Sequence, residues 1–286
     1  MRARWVVVVG VVLVAFVGIG LFLTLRDNAR PVTLDEAKGR TTSSTSAESS
    51  TSSASSEAPG DGSTTSSTPE DTPVIRRPEP GVYRYEGSGT ESLSVPPLSQ
   101  DQGPTMPGTV EHGDNGCWTF RIDYSTNHWQ TWVHCPEGPD FVEAGGQSWQ
   151  RWMIGATAIT NLSDFTCDAG AMLTPADPTP GQEWTARCVG TNEAVEGEAV
   201  SEGTYRFGGT EDIAVGDTTV AAHHFVRDRT MSGSQVGTER SEVWYAVDTG
   251  LPVRNQRSLE ARTDTPIGAS TYTETGEFNL ASVTPE

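Results

Sequence analysis

The sequence predicts an all-β ectodomain, a large curved antiparallel sheet forming a half-barrel or a sandwich, carried by one N-terminal transmembrane helix. Three observations point there. The run Trp5–Leu25 holds twenty-one residues without a charge. Between Thr41 and Thr72, twenty of thirty-two residues are serine or threonine. Beyond residue 80, short stretches alternate apolar and polar side chains between Gly, Pro, Asp and Asn, the period-two signature of strands and their turns.

At about 1.5 Å per helical residue, Trp5–Leu25 spans roughly the 30 Å of a hydrocarbon core, so residues 5–25 are read as one membrane pass after a cytoplasmic stub of residues 1–4. A cleaved signal peptide is the alternative. Gly18 and Gly20 mimic its cleavage site, but the apolar run continues through Leu25, which favours a retained anchor. Arg2 and Arg4 before the helix and Arg26 and Arg30 after it leave orientation undecided by charge. Cys117, Cys135, Cys167 and Cys188 decide it. They form an even set without the close C-x-x-C pairs that zinc requires, so disulfides are expected, and an oxidising compartment follows. Of three connectivities, Cys117 with Cys135 and Cys167 with Cys188 are favoured because each closes a short local excursion. Residues after Leu25 are then extracytoplasmic, at the cell membrane.

Residues 26–40 read as a juxtamembrane segment in which Thr33-Leu34-Asp35-Glu36 matches a capping box and starts a short helix through Lys38. Residues 41–80 are too polar to bury a core and read as a disordered Ser/Thr/Pro-rich linker, which as a coil would hold the following domain about 40 Å from its tether. Residues 81–286 are one domain's worth of chain. Trp118, Phe120, Ile122 and Tyr124 fall on one face of a strand. Further strands are read at Val82–Glu86, Trp129–Cys135, Glu183–Val189, Thr204–Phe207, Thr219–Arg227, Glu242–Val247, Pro252–Leu259 and Ser270–Leu280. Around Trp149, Trp152, Met153, Ala156 and Ile159 the spacing is nearly helical, but Gly155, Thr157 and Thr160 lower the propensity, and helix and strand remain equal there.

Net charge is −19, and because residues 1–40 carry +3, the rest carries −22. This excludes a nucleic-acid surface and argues against electrostatic docking on anionic headgroups. No nucleophile elbow, zinc helix or phosphate loop occurs, so no catalytic residue, metal ligand or cofactor is assigned. His223 and His224, adjacent on a strand, point to opposite faces, while His128 and His134 share one face but lie far apart along it. Trp129 and Trp132 differ by an odd number and so face opposite sides, which makes Trp132 the candidate ligand-binding aromatic.

The order Gly81-Val82-Tyr83-Arg84-Tyr85, Gly116-Cys117-Trp118, Cys135, Cys167, Cys188, Trp244, Gly250-Leu251-Pro252-Val253-Arg254 and Tyr272-Thr273-Glu274 resembles a group of uncharacterised actinobacterial membrane-anchored extracytoplasmic proteins, as does Arg30-Pro31-Val32-Thr33-Leu34-Asp35-Glu36-Ala37. More distantly, the strand-rich layout with its late Leu-Pro-Val-Arg turn is similar to envelope lipoproteins of the LolA and LprG type, although a lipobox cysteine and an amphipathic helix are missing. That resemblance implies a curved sheet holding a lipid or acyl chain. The expected function is therefore non-enzymatic binding of an apolar or lipid-like ligand, or of a partner, at the cell envelope. A stalk-displayed interaction module and a cell-wall polymer hydrolase are the alternatives, the latter requiring two carboxylates that converge in a cleft.

Overall fold

A computed structural model describes residues 29–45, 76–169, 173–265 and 268–286. The expected membrane pass, residues 5–25, and most of the Ser/Thr-rich tract lie outside this set. Among the described residues no helix is long and apolar enough to cross a membrane.

The alternating segments do form strands: β1 (Gly81–Ser94), β2 (Pro97–Gln102), β3 (Thr105–His112), β4 (Trp118–Ser125), β5 (His128–Glu137), β6 (Asp140–Ile154), β7 (Thr157–Cys167), β8 (Leu173–Thr174), β9 (Glu183–Asn192), β10 (Val195–Val215), β11 (Thr218–Gly233), β12 (Val236–Ala246), β13 (Pro252–Thr265) and β14 (Gly268–Leu280). The segment whose period was ambiguous belongs to β6 and β7, where Trp152 pairs with Ile159.

All pairings are antiparallel, in the order β14-β13-β12-β11-β10-β9-β7-β6-β5-β4-β3-β1. Pairing of β14 with β1, from Tyr85↔Leu280 to Leu93↔Tyr272, closes the ring. Of the fourteen strands, β2 and β8 hang off the ring, leaving a closed barrel of twelve. Closure corrects the expected half-barrel or sandwich. It removes the two long edges that an open sheet would expose.

A barrel of eight strands is just filled by its own side chains, so twelve enclose more room than a packed core uses. The chain fills it in levels. One end, the base, holds aromatic and aliphatic side chains including Tyr83, Tyr85, Trp118, Phe120 and Phe278, with a second cluster around Tyr205, Phe207, Phe225 and Tyr245. The other end, the mouth, is formed by the turns β1–β2, β6–β7, β9–β10 and β11–β12. The outer wall alternates with the interior and carries charges such as Arg240, Glu242, Glu260 and Arg262, so it is a wall facing water.

Both predicted disulfides are present, Cys117–Cys135 and Cys167–Cys188, and among the described residues no cysteine is free. Each joins neighbouring strands: Cys167 is directly opposite Cys188 on β7 and β9, while Cys117–Cys135 staples the base of the β4–β5 hairpin.

The capping box also forms. Thr33 Oγ1 accepts the Glu36 N–H at 3.2 Å, and a Glu36 carboxylate oxygen accepts the Thr33 N–H at 2.9 Å. Helix α1 it starts runs from Leu34 to Thr45, beyond the expected end at Lys38. Docking extends it: Val32 and Ala37 are buried against the barrel, and Arg40 pairs with the buried Asp123 at 2.7 Å. At the other side of the tract, Arg76 lies over the Phe141 ring at the base. Arg30 and Arg76, on either side of the tract, thus both contact the barrel.

Candidate functional site

The interior above the aromatic base is polar. On the seam that closes the barrel, Glu91 and Glu274 are directly opposed and both buried. Like charges in that position repel and need compensation. Arg257 supplies it as an ion pair to Glu274, and His128 Nδ1 sits 3.2 Å from Glu91 and 3.9 Å from Glu274. The Tyr272 hydroxyl lies 2.7 Å from an oxygen of each carboxylate. Gln100 donates to Glu91 at 2.6 Å, and Gln102 to Glu274 at 3.0 Å. Burial by itself would lower the His128 pKa, but the Glu91 and Glu274 carboxylates outweigh it and the net shift is upward. Burial would raise Glu274, and Arg257 and then His128 reverse that and hold it low.

Two further ion pairs complete this level, the part-buried Arg229–Glu239 at 2.9 Å and the buried Arg227–Glu143 at 2.8 Å. The first is a cross-strand pair in register on β11 and β12, and the second reaches across the interior. Each arginine thus meets a carboxylate. With His128 neutral, the level is one positive charge short, which is the physical cause of that histidine's upward shift.

Above the charged level lies a cavity of about 480 Å³. Three strands show how the sequence builds it. On β13 the inward side chains ascend from Arg257 to Leu259 to Ala261, on β11 from Arg229 to Met231, and on β1 from Glu91 through Leu93 to Val95 in the turn. Except for the deeper Glu91, all of these line the cavity. Each series passes from charged to apolar above the floor, and on β13 it ends at the mouth in the hydroxyls of Thr263 and Thr265. Trp132, Trp152, Phe165 and Ile159 add apolar wall from β5, β6 and β7, and Gln130, Ser148 and Gln150 add hydrogen-bonding groups near the floor.

Trp132 faces this cavity and stacks on Phe120 at 5.9 Å, while Trp129 faces outward, stacked on Trp149 at 6.2 Å with the Arg121 guanidinium 4.2 Å from its ring. His128 and His134 share the inner face, and His223 and His224 divide between faces. His223 meets Thr210 and the Ala176 carbonyl, whereas His224 contacts Glu242 and stacks on Trp244.

The sequence reading names no metal ligands, yet Glu91, His128 and Glu274 bring one donor atom each to within 4.8 Å of one another. One imidazole and two carboxylates are donors suited to a divalent transition metal. As they stand, Arg257, Tyr272 and Gln102 occupy the same atoms. No sequence spacing could find this trio, because Glu91 and Glu274 meet only through closure of the barrel.

No family model matches the chain, and no curated protein matches it. Among solved structures, it is similar to the crystal structure of a hypothetical lipoprotein, YmcC from Escherichia coli K12, with a TM-score of 0.30 and 12% identity over 69% of this chain and 88% of that one.

Proposed function

We propose that the barrel is a non-enzymatic binding protein of the cell envelope that takes a lipid-like amphiphile into its open cavity. The observation that carries this reading is the layering along the inward positions, charged or amide-bearing at the floor, apolar above it at Leu93, Met231, Leu259 and Trp152, with polar groups such as Thr263 and Thr265 at the rim. A ligand with an apolar part and a polar end matches it, the former against Leu259, Met231 and Trp152, the latter toward Gln130 and Arg257. The volume falls within the range of small-molecule sites. Because every floor arginine is already paired with a carboxylate, the matching polar end is a hydrogen-bonding group with little net charge. A hydrolase reading finds its two converging carboxylates in Glu91 and Glu274, but Glu91 is only 1% exposed, too deep for a polymer strand.

The test is to purify the full chain in mild detergent from an oxidising envelope, extract it with organic solvent, and identify the extract by mass spectrometry. A discrete amphiphile at near one per chain is expected. Ala261→Trp, which fills the cavity, should abolish it while leaving the fold intact by circular dichroism. An empty wild-type chain, or equal ligand in the Ala261→Trp variant, would exclude the cavity as the site.

A further inference from the structure

The described part of the N-terminal segment first docks at one end of the barrel. Arg30 is held to the β4–β5 turn, its carbonyl accepting the Thr126 N–H at 2.8 Å and its own N–H donating to Thr126 Oγ1 at 3.2 Å. From there α1 runs toward the base, where Lys38 lies 3.5 Å from Glu286 and the Glu286 N–H bonds the Val82 carbonyl. The first docked residue is thus on the mouth side. The apolar run ends at Leu25, and five residues span at most about 17 Å whatever their conformation.

The β4–β5 turn lies level with Gln150, since His128 pairs with Gln150, and the β6–β7 hairpin continues four residues further, to Ile154. At about 3.3 Å per residue that is roughly 13 Å. With Trp5–Leu25 as the membrane pass that the sequence predicts, on which this inference rests, the mouth turns reach the level of the headgroup layer. An independent observation concerns the exposed apolar side chains. Among the described residues, the large hydrophobics that remain exposed are Val95, Ile159, Val236 and Val283. Val95 and Val236 sit at two mouth turns and Ile159 two residues past the start of β7, with Val95 and Ile159 also lining the cavity at its opening, and only Val283 lies toward the base.

We propose that the mouth of the barrel is a membrane-docking surface, seated on the bilayer that Trp5–Leu25 enters, with the turns bearing Val95, Ile159 and Val236 in the headgroup layer. The acidic net charge does not oppose this, because these side chains are uncharged and the anchor supplies a high local concentration of surface, so shallow apolar insertion suffices. The cavity then opens toward lipid, and an amphiphile passes between bilayer and barrel without crossing water.

The experiment reconstitutes the full chain into phosphatidylcholine vesicles doped with a phosphatidylcholine carrying a photoreactive group near the headgroup, then maps adducts by peptide mass spectrometry. Expected are adducts in the peptides containing Val95, Ile159 and Val236, several-fold above the peptide containing Val283. In the variant Val236→Asp, whose side chain lies outside the cavity lining, adducts at the altered turn should fall several-fold. Adducts confined to residues 5–25, or equal at Val283 and the mouth turns, would overturn the docking. Ligand extraction is a separate measurement, so a loaded barrel without mouth adducts removes the docking alone, and mouth adducts on an empty barrel remove only the ligand reading.

Discussion

His134 shows how the interior sets the charge state of a single residue. It is 1% exposed, with Trp118 at 4.3 Å, Phe141 at 5.3 Å and Tyr245 at 5.9 Å between ring centroids. Burial first, and the Arg227 charge second, push its pKa down to about 3. The unfolded chain binds a proton near pH 6.5 that the native state refuses. Its stabilising contribution is therefore fully present above pH 6.5 and lost as the pH falls toward 3, at about 1.4 kcal/mol per pH unit. His134→Phe keeps the ring contacts and removes the titration. Between pH 7 and pH 5 the wild type should lose on the order of 2 kcal/mol more than the variant in denaturant unfolding, and parallel losses would show that His134 does not titrate on unfolding. Trp132 illustrates what parity alone conveys: the odd spacing from Trp129 separates the two faces, and the structure puts Trp132 inside. Parity cannot say which acids meet. Glu91, Glu143, Glu239 and Glu274 resemble the chain's other carboxylates until the strands register.

At the scale of elements, β4 was legible because Trp118, Phe120, Ile122 and Tyr124 repeat on one face, and the capping box of α1 because its two bonds join residues three apart. The extension of α1 to Thr45 was not, since it depends on Asp123, a residue of β4, receiving Arg40. Glycines in the strands carry a constraint that pattern reading also misses. Gly203 on β10 faces β11 so closely that a Cβ would lie 1.9 Å from the Asp228 carbonyl oxygen. That neighbour is backbone and cannot turn aside, so the strands must part. Gly203→Ala should cost about 1–3 kcal/mol with the fold retained. The check is the urea midpoint; an unchanged midpoint at constant slope would mean that β10 and β11 are looser there than their pairing implies.

At the scale of the whole molecule, local alternation specifies strands but not how many close a ring, because closure rests on β1 meeting β14 at the far end of the domain. Three dependencies converge on that seam. Phe278 completes the aromatic base, packing 5.3 Å from Tyr85 and 6.1 Å from Phe120. Glu274 neutralises Arg257, which is otherwise a guanidinium stranded in the interior, and the loss of one partner of a buried pair typically costs about 3–5 kcal/mol. The backbone of β14 covers β1 along Tyr85–Leu93 and β13 along Arg254–Thr265. Truncating the chain before Gly268 removes all three at once and exposes two long unpaired edges, the geometry that recruits further strands from other molecules. The truncated chain should lose its cooperative unfolding transition and elute as oligomers or aggregates in size-exclusion chromatography, even with both disulfides formed. A monomer that keeps a single sharp transition would mean that the eleven remaining strands reclose without β14, and that the paired glutamates of the seam are dispensable to the interior they neutralise.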